Sequence, residues 1–199
     1  MTTIYLIRHG EIAESRPRRF IGNQELALTR TGQQQMAAVA RFLASQSIDQ
    51  IVCSPLSRCQ QGAAIIAERL KKPVRIDRRL SEIDLGGWQG LTVAEVTTRY
   101  PGQYAARGRD LAGFRPEGGE SFQDLLKRSW PVFTELAGQA DCGIAIIGHA
   151  GVNRVILCQA LGIELANLFR LGQEYGCINT LAVRDGLVTI QRLNCRPEH

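Results

Sequence analysis

Histidine occurs three times in this 199-residue chain, as His9, His149 and the C-terminal His199. His9 stands in Ile7-Arg8-His9-Gly10 and His149 in Ile147-Gly148-His149-Ala150-Gly151, each directly after an apolar run that reads as a strand. In open α/β sheets the carboxyl ends of the strands are where ligands bind. Glycines beside both histidines let the backbone approach a ligand closely. Arg8 precedes His9, and Arg58 begins a helical stretch soon after another strand-like run, Gln50 to Cys53. A cation at a helix start opposes the helix dipole, so its presence there points to a functional charge. Two forked guanidiniums, helix amide groups and two imidazoles make an anion site, and phosphate is the anion that suits it.

The elements that must position these groups alternate between the two periodicities. Ile4 to Ile7, Gln50 to Cys53, Val74 to Ile76 and Cys142 to Gly148 read as short apolar strands. Helical spacing separates them: Met36, Ala40 and Leu43 behind the N-cap Thr29; Ala63, Ile66 and Leu70; Phe122, Leu125 and Leu126 behind Ser121; and a helix from about Val152 to Leu161. Thr92 to Glu95 is a capping box. Pro131 predicts a kink or a late start for the helix that holds it. Residues 101–120 read as a loop-rich insertion, and Asp185-Gly186 as the turn of a C-terminal hairpin over 177–184 and 187–194. This order predicts an α/β chain with a mostly parallel sheet in one domain over 1–199.

Composition narrows the class further. The chain is 44% hydrophobic and 22% charged, which excludes disordered, collagen-like and coiled-coil chains. No apolar run is long enough to span a membrane, so no membrane partner is expected. The first apolar run stops at Arg8, too early for a signal peptide, and a cytoplasmic location is expected. Arginine supplies 21 of the 24 basic residues behind the net charge of +5, which favours phosphorylated partners. The six cysteines contain no C-x-x-C pair and read as reduced, buried thiols.

Five motifs in order resemble the histidine phosphatase superfamily, in its phosphoglycerate-mutase-like branch. They are Leu6-Ile7-Arg8-His9-Gly10-Glu11; Phe20-Ile-Gly22 with Leu28-Thr29-x-x-Gly32; Cys53-Ser54-Pro55-Leu56-x-Arg58; Leu80-Ser-Glu82-Ile-Asp-Leu-Gly86-Gly-Trp88-Gln-Gly90; and Gly118-Gly-Glu120-Ser121 with Gly148-His149-Ala-Gly151-Val. The resemblance covers nearly the whole chain. It implies a three-layer sandwich, a mostly parallel central sheet with helices on both faces.

The resemblance also implies roles. His9 is the nucleophile and carries a phosphohistidine, with its attack favoured by arginines that disfavour imidazolium. Arg8, Arg58 and His149 grip the phosphoryl oxygens. Glu82 is the proton donor, ahead of its competitor Asp84, and Glu11 has a supporting role. Substrate contacts fall to Arg8, Ser15, Gly22, Arg58, His149 and Ala150. The expected substrate is a small phosphomonoester, with no cofactor and no metal.

Departures from the family pattern bear on the reaction. Mutases hold a carboxylate with a Tyr and a Lys whose positions here are Leu85 and Val93, and the usual Asn after the nucleophile is Ser15. These changes favour a hydrolase over a 2,3-bisphosphoglycerate-dependent mutase. The length, the Phe20-x-Gly22 segment and the tail are most similar to α-ribazole phosphatases of cobalamin synthesis, with broad-specificity phosphatases as the alternative. Phe114, Trp88 or Tyr104 would then receive the benzimidazole.

Other readings fit less well. A cysteine phosphatase needs five residues between Cys and Arg, whereas four separate Cys53 from Arg58 and Pro55 removes an amide donor. No G-x-x-x-x-G-K-[ST] occurs, and clustered metal ligands are missing from the sequence pattern. Arg16 to Arg19 and Arg75 to Arg79 could make a basic nucleic-acid patch, but aromatic residues for base stacking are few, at 6%. No nucleic-acid partner is expected.

Overall fold

The computed structural model describes residues 1–13 and 17–197. Six strands form one sheet: β1 (Thr2–Arg8), β2 (Gln50–Cys53), β3 (Val74–Ile76), β4 (Gly143–Gly148), β5 (Ile178–Arg184) and β6 (Leu187–Cys195), in the spatial order β3-β2-β4-β1-β5-β6. The first four are mutually parallel, and the C-terminal hairpin adds β5 antiparallel to β1. Asp185 and Gly186 close that hairpin with φ of 51° and 79°, the left-handed pair a tight two-residue turn requires.

Alternation along the strands splits the core into two layers. Ile4, Leu6, Ile144 and Ile146 face α5 (Phe122–Ala137) and α6 (Ala150–Leu161), meeting Leu125, Phe133, Val152 and Val155. Tyr5, Ile7, Ala145 and Ile147 face α1 (Arg30–Leu43) and α2 (Ser57–Leu70), meeting Met36, Leu43, Ala63 and Ile66. Every residue of β4 is buried, as a central strand covered on both faces must be. The chain is thus a three-layer sandwich around a mixed, mostly parallel sheet.

Local signals set the helix starts. Thr29 accepts from Gly32 N–H at 3.0 Å, a cap worth about 1 kcal/mol. Thr92 and Ser121 both form complete capping boxes, opening α3 (Val93–Arg99) and α5. Two expectations are corrected. Of the two alternatives for Pro131 the late start is excluded; the helix runs through it, because Leu125 before it and Val132, Phe133 and Leu136 after it are all buried on the same layer. The 101–120 insertion is not wholly irregular either. It contains α4 (Gln103–Arg109), which buries none of its residues and is rich in helix-forming Ala and Arg.

Candidate active site

Strand order brings the chemistry together. β4 lies between β1 and β2, so the carboxyl ends of three adjacent parallel strands deliver Arg8-His9, His149 and the Ser54-to-Arg58 turn to one edge. The backbone of His9 is clamped there, its N–H donating to Gly148 O at 3.1 Å and its carbonyl accepting from Gly176 N–H at 3.1 Å. Gly10 permits the fit, since a Cβ on it would lie 2.2 Å from the carbonyl oxygen of Gly32. Glu11 does not line the cleft; its carboxylate accepts from the Thr29 hydroxyl at 2.7 Å and ties the loop to the start of α1.

The tautomer of His9 follows from its one hydrogen bond. Nδ1 lies 2.7 Å from the carbonyl oxygen of Gly10, which can only accept, so Nδ1 carries the proton and Nε2 the lone pair. Burial holds the imidazole well below its ordinary pKa, and the charges of Arg58 and Arg8 push the same way. His9 is therefore a neutral imidazole with a basic Nε2.

His9 borders a cleft of about 430 Å³, in the range of small-molecule sites. Arg8, Gly22, Arg58, Glu82 and Ala150 line it too, so five of the expected residues meet His9 there. Arg8 donates to Gln173 O at 2.6 Å and lies 3.7 Å from the Tyr175 ring centroid. Behind it, Gln173, Asn153 and Asn179 form a buried amide network with bonds of 2.9–3.0 Å. Arg58 is 1% exposed and donates to the carbonyl oxygens of Gly22, at 2.9 Å, and Gln24. Gly22 thus both lines the cleft and positions Arg58. Ser15, expected as a phosphate contact, lies outside the described residues.

His149, expected to grip the phosphoryl oxygens, is placed behind His9 and Arg58 rather than in the cleft lining. It is fully buried, 5.2 Å from the His9 ring centroid, and does not line the cleft. Arg58 Nε–H donates to its Nδ1 at 3.3 Å, which leaves the proton on Nε2 to donate to Ser54 Oγ at 2.7 Å. Burial again holds its pKa well down, with help from Arg58. Both nitrogens are thus engaged within the protein.

Glu82 reaches the cleft from the loop over residues 81–85. Its carboxylate accepts from Ile83 N–H at 2.9 Å and from Gly151 N–H at 3.0 Å. Asp84 instead caps Gly86 N–H at 2.8 Å and does not line the cleft. Arg128, which the sequence reading did not single out, holds the loop. It donates to the carbonyl oxygens of Arg79, Ser81 and Glu82 at 2.7–3.0 Å and to both carboxylate oxygens of Glu120. Burial opposes the charge of Glu120, but the bonds from Arg128 and Asp84 N–H hold its pKa below the ordinary value.

The wall opposite the phosphate end was not legible either. Arg107, Arg154, Phe122, Phe169 and Tyr175 line the cleft, whereas Trp88, Tyr104 and Phe114 do not. Those three aromatics stack with one another and with Phe20, and Trp88 is fully buried. The aromatic residues expected to receive a benzimidazole thus pack together beside the cleft rather than in its lining. The one weak signal for Arg154 was a cation near the start of a helix, on the face that begins with Ala150.

Among the described residues no group of three or more His, Cys, Asp or Glu side chains is placed to hold a metal ion, and no helix is long and apolar enough to cross a membrane. The family model of the histidine phosphatase superfamily (branch 1) matches residues 4–196. A glucosyl-3-phosphoglycerate phosphatase of Mycolicibacterium vanbaalenii is 34% identical over 177 residues, covering 85% of this chain and 78% of the relative. An adenosylcobalamin/alpha-ribazole phosphatase of Salmonella typhi is 27% identical over 194 residues, covering 97% of this chain and 96% of the relative. Among solved structures, the alpha-ribazole phosphatase from Shigella flexneri superposes with a TM-score of 0.89 at 26% identity, over 98% of this chain and 96% of that one.

Proposed function

Because the chain belongs to branch 1 of the histidine phosphatase superfamily, we propose that it hydrolyses small phosphomonoesters through a phosphohistidine at His9, without a metal ion or cofactor. The observation that carries this reading is the Nδ1–H bond from His9 to Gly10 O, which leaves Nε2 free to attack. In the first step Nε2 bonds to phosphorus in line with the ester oxygen, and that P–O bond breaks. Arg8 and Arg58 take the charge that spreads over the equatorial oxygens. The Glu82 carboxyl gives its proton to the departing alkoxide. In the second step Glu82 takes a proton from water, whose oxygen attacks phosphorus; the P–N bond breaks and its pair returns to Nε2. Guanidiniums supply the electrostatic stabilisation that a metal ion supplies in other phosphatases.

The substrate of first choice by whole-chain likeness is α-ribazole 5′-phosphate. The relative of higher identity brings a second candidate, glucosyl-3-phosphoglycerate. The nucleic-acid alternative is weakened at its second basic run, where Arg79 is paired with Asp77 at 2.8 Å and Glu135 at 2.7 Å. A cytoplasmic location accords with the reduced thiols, of which Cys53, Cys59, Cys158 and Cys177 are buried.

The test is a trapping experiment. Brief mixing with ³²P-labelled phosphomonoester and an alkaline quench should leave acid-labile, base-stable label on the protein, and His9→Ala should lose both label and turnover. Label that persists in His9→Ala would refute the assignment. A kcat/KM panel over sugar, nucleoside and glycerate phosphates then ranks substrates. A clear preference for a phosphoester other than α-ribazole 5′-phosphate refutes that substrate while leaving the chemistry standing.

A further inference from the structure

The cleft carries more positive charge than a phosphoryl group needs. Among the described residues six arginines line it, Arg8, Arg18, Arg19, Arg58, Arg107 and Arg154, against one carboxylate, Glu82. Arg8 and Arg58 stand with His9 at the phosphoryl end. Arg107 and Arg154 come from α4 and α6 and converge on one ring: their guanidinium carbons lie 5.6 and 5.3 Å from the Phe169 centroid. Arg107 also lies 6.0 Å from the Phe122 ring, which meets Phe169 edge to face at 5.8 Å.

Neither guanidinium is paired with a carboxylate among the described residues. Arg154 donates through Nε to Leu171 O at 2.9 Å, and the Arg107 guanidinium makes no hydrogen bond among the described residues. Both cations are partly desolvated. Burial lowers the pKa of each; at Arg154 the charge of Arg8 pushes the same way, and that of Glu82 opposes it without making an ion pair. The ring faces orient the cations without neutralising them. Guanidiniums on a cleft wall without a carboxylate in ion-pair distance suit an anionic ligand, for which they make charge-assisted bonds.

We infer that Arg107 and Arg154, oriented by Phe169, form a second anion subsite, so that the preferred substrate is a phosphomonoester whose leaving group carries another anionic group, a carboxylate or a second phosphate. The subsite rests on the phosphatase reading of the same cleft, and within that reading it ranks glucosyl-3-phosphoglycerate, whose leaving group carries a carboxylate, above α-ribazole 5′-phosphate, whose leaving group is neutral. It is separate from Leu85 and Val93, the apolar residues at the positions where mutases hold a carboxylate. It also assigns selectivity to the 101–120 insertion, through a residue of α4.

Two matched substrate pairs test it. 3-Phosphoglycerate and glycerol 3-phosphate differ by a carboxylate, and fructose 1,6-bisphosphate and fructose 6-phosphate by a phosphate. In the unaltered protein, kcat/KM should favour the anion-bearing member of at least one pair by about tenfold or more, the worth of one charge-assisted contact. Preference in the first pair assigns a carboxylate, and preference in the second assigns a phosphate. Arg107→Gln and Arg154→Gln should each reduce the ratio at least several-fold, and Arg107→Lys should restore part of it. Because the readout is a ratio within one variant, partial misfolding cancels. Turnover of p-nitrophenyl phosphate with ratios near one in both pairs, or ratios unmoved by either Gln variant, overturns the subsite. Failure to turn over p-nitrophenyl phosphate overturns the phosphatase reading instead.

Discussion

Gly151 donates its backbone N–H to the Glu82 carboxylate at 3.0 Å, and a Cβ at Gly151 would stand 2.3 Å from Glu82 Oε1. The first turn of α6 therefore anchors the group assigned as the acid, and only a residue without a side chain allows it to come so close. The glycine after the histidine motif is explained by a carboxylate 69 positions earlier in the chain.

Gly151→Ala should fold normally, because the atom it displaces is the end of a flexible side chain. Its activity should fall most where protonation of the leaving group matters, with alkyl phosphates. Glu82→Gln should lose about 10²–10⁴-fold on alkyl phosphates, the size of a general-acid contribution, and much less on p-nitrophenyl phosphate. Gly151→Ala should follow the same leaving-group trend at smaller amplitude. Equal losses on both substrate classes in both variants would move the acid role away from Glu82.

The buried histidines make stability depend on pH. His9 and His149 both have folded pKa values held below the ordinary 6.5, so the unfolded chain binds protons first as pH falls. Stability is complete above pH 6.5 and is lost below it until the folded values are reached. Within that window the loss amounts to about 1.4 kcal/mol per pH unit for each histidine. Urea unfolding at pH 7, 6 and 5 measures the slope, and His9→Gln should roughly halve it. A flat profile in the unaltered protein would show that the imidazoles are not held neutral.

Arg128→Gln removes the donors that fix Arg79, Ser81, Glu82 and Glu120. It leaves the half-buried Glu120 without its cation, at a cost of about 2 kcal/mol, the worth of hydrogen bonds to a charged group. Calorimetry should record the loss of stability. In a temperature range where the variant is folded, kcat on alkyl phosphates should drop while KM changes little. A raised KM with kcat preserved would instead place Arg128 in substrate binding.

Exhaustive dialysis against EDTA should leave activity unchanged, since arginines do the electrostatic work in the proposed mechanism. Loss of activity that Mg²⁺ or Zn²⁺ restores would overturn it.

Much of this was legible in the chain because it is encoded locally. Apolar runs of strand length, the caps Thr29, Thr92 and Ser121, and the Asp185-Gly186 turn each depend on neighbours within a few residues, and each forms where the periodicity places it. His9, Arg8, Arg58 and Glu82 could be selected because each sits in a short motif beside a strand end or turn. The α4 helix and the unbroken α5 were less legible. Propensity within 101–120 is divided between Ala-Arg helix formers and Gly-Pro breakers, and the penalty at Pro131 is outweighed by the buried residues on either side of it.

What tertiary structure alone decided is which side chains share a surface. Insertion of β4 between β1 and β2 joins residues 9, 58 and 149 at one edge, and no local pattern records that order. It turns both nitrogens of His149 toward Arg58 and Ser54 rather than the cleft. It buries Trp88 and brings Arg107 and Arg154 onto the face of Phe169 from segments 47 positions apart. A residue's type and spacing announce what chemistry it can do. Its partners, proton and access to the cleft depend on contacts between distant segments, which burial and sheet order impose only once the whole chain has packed.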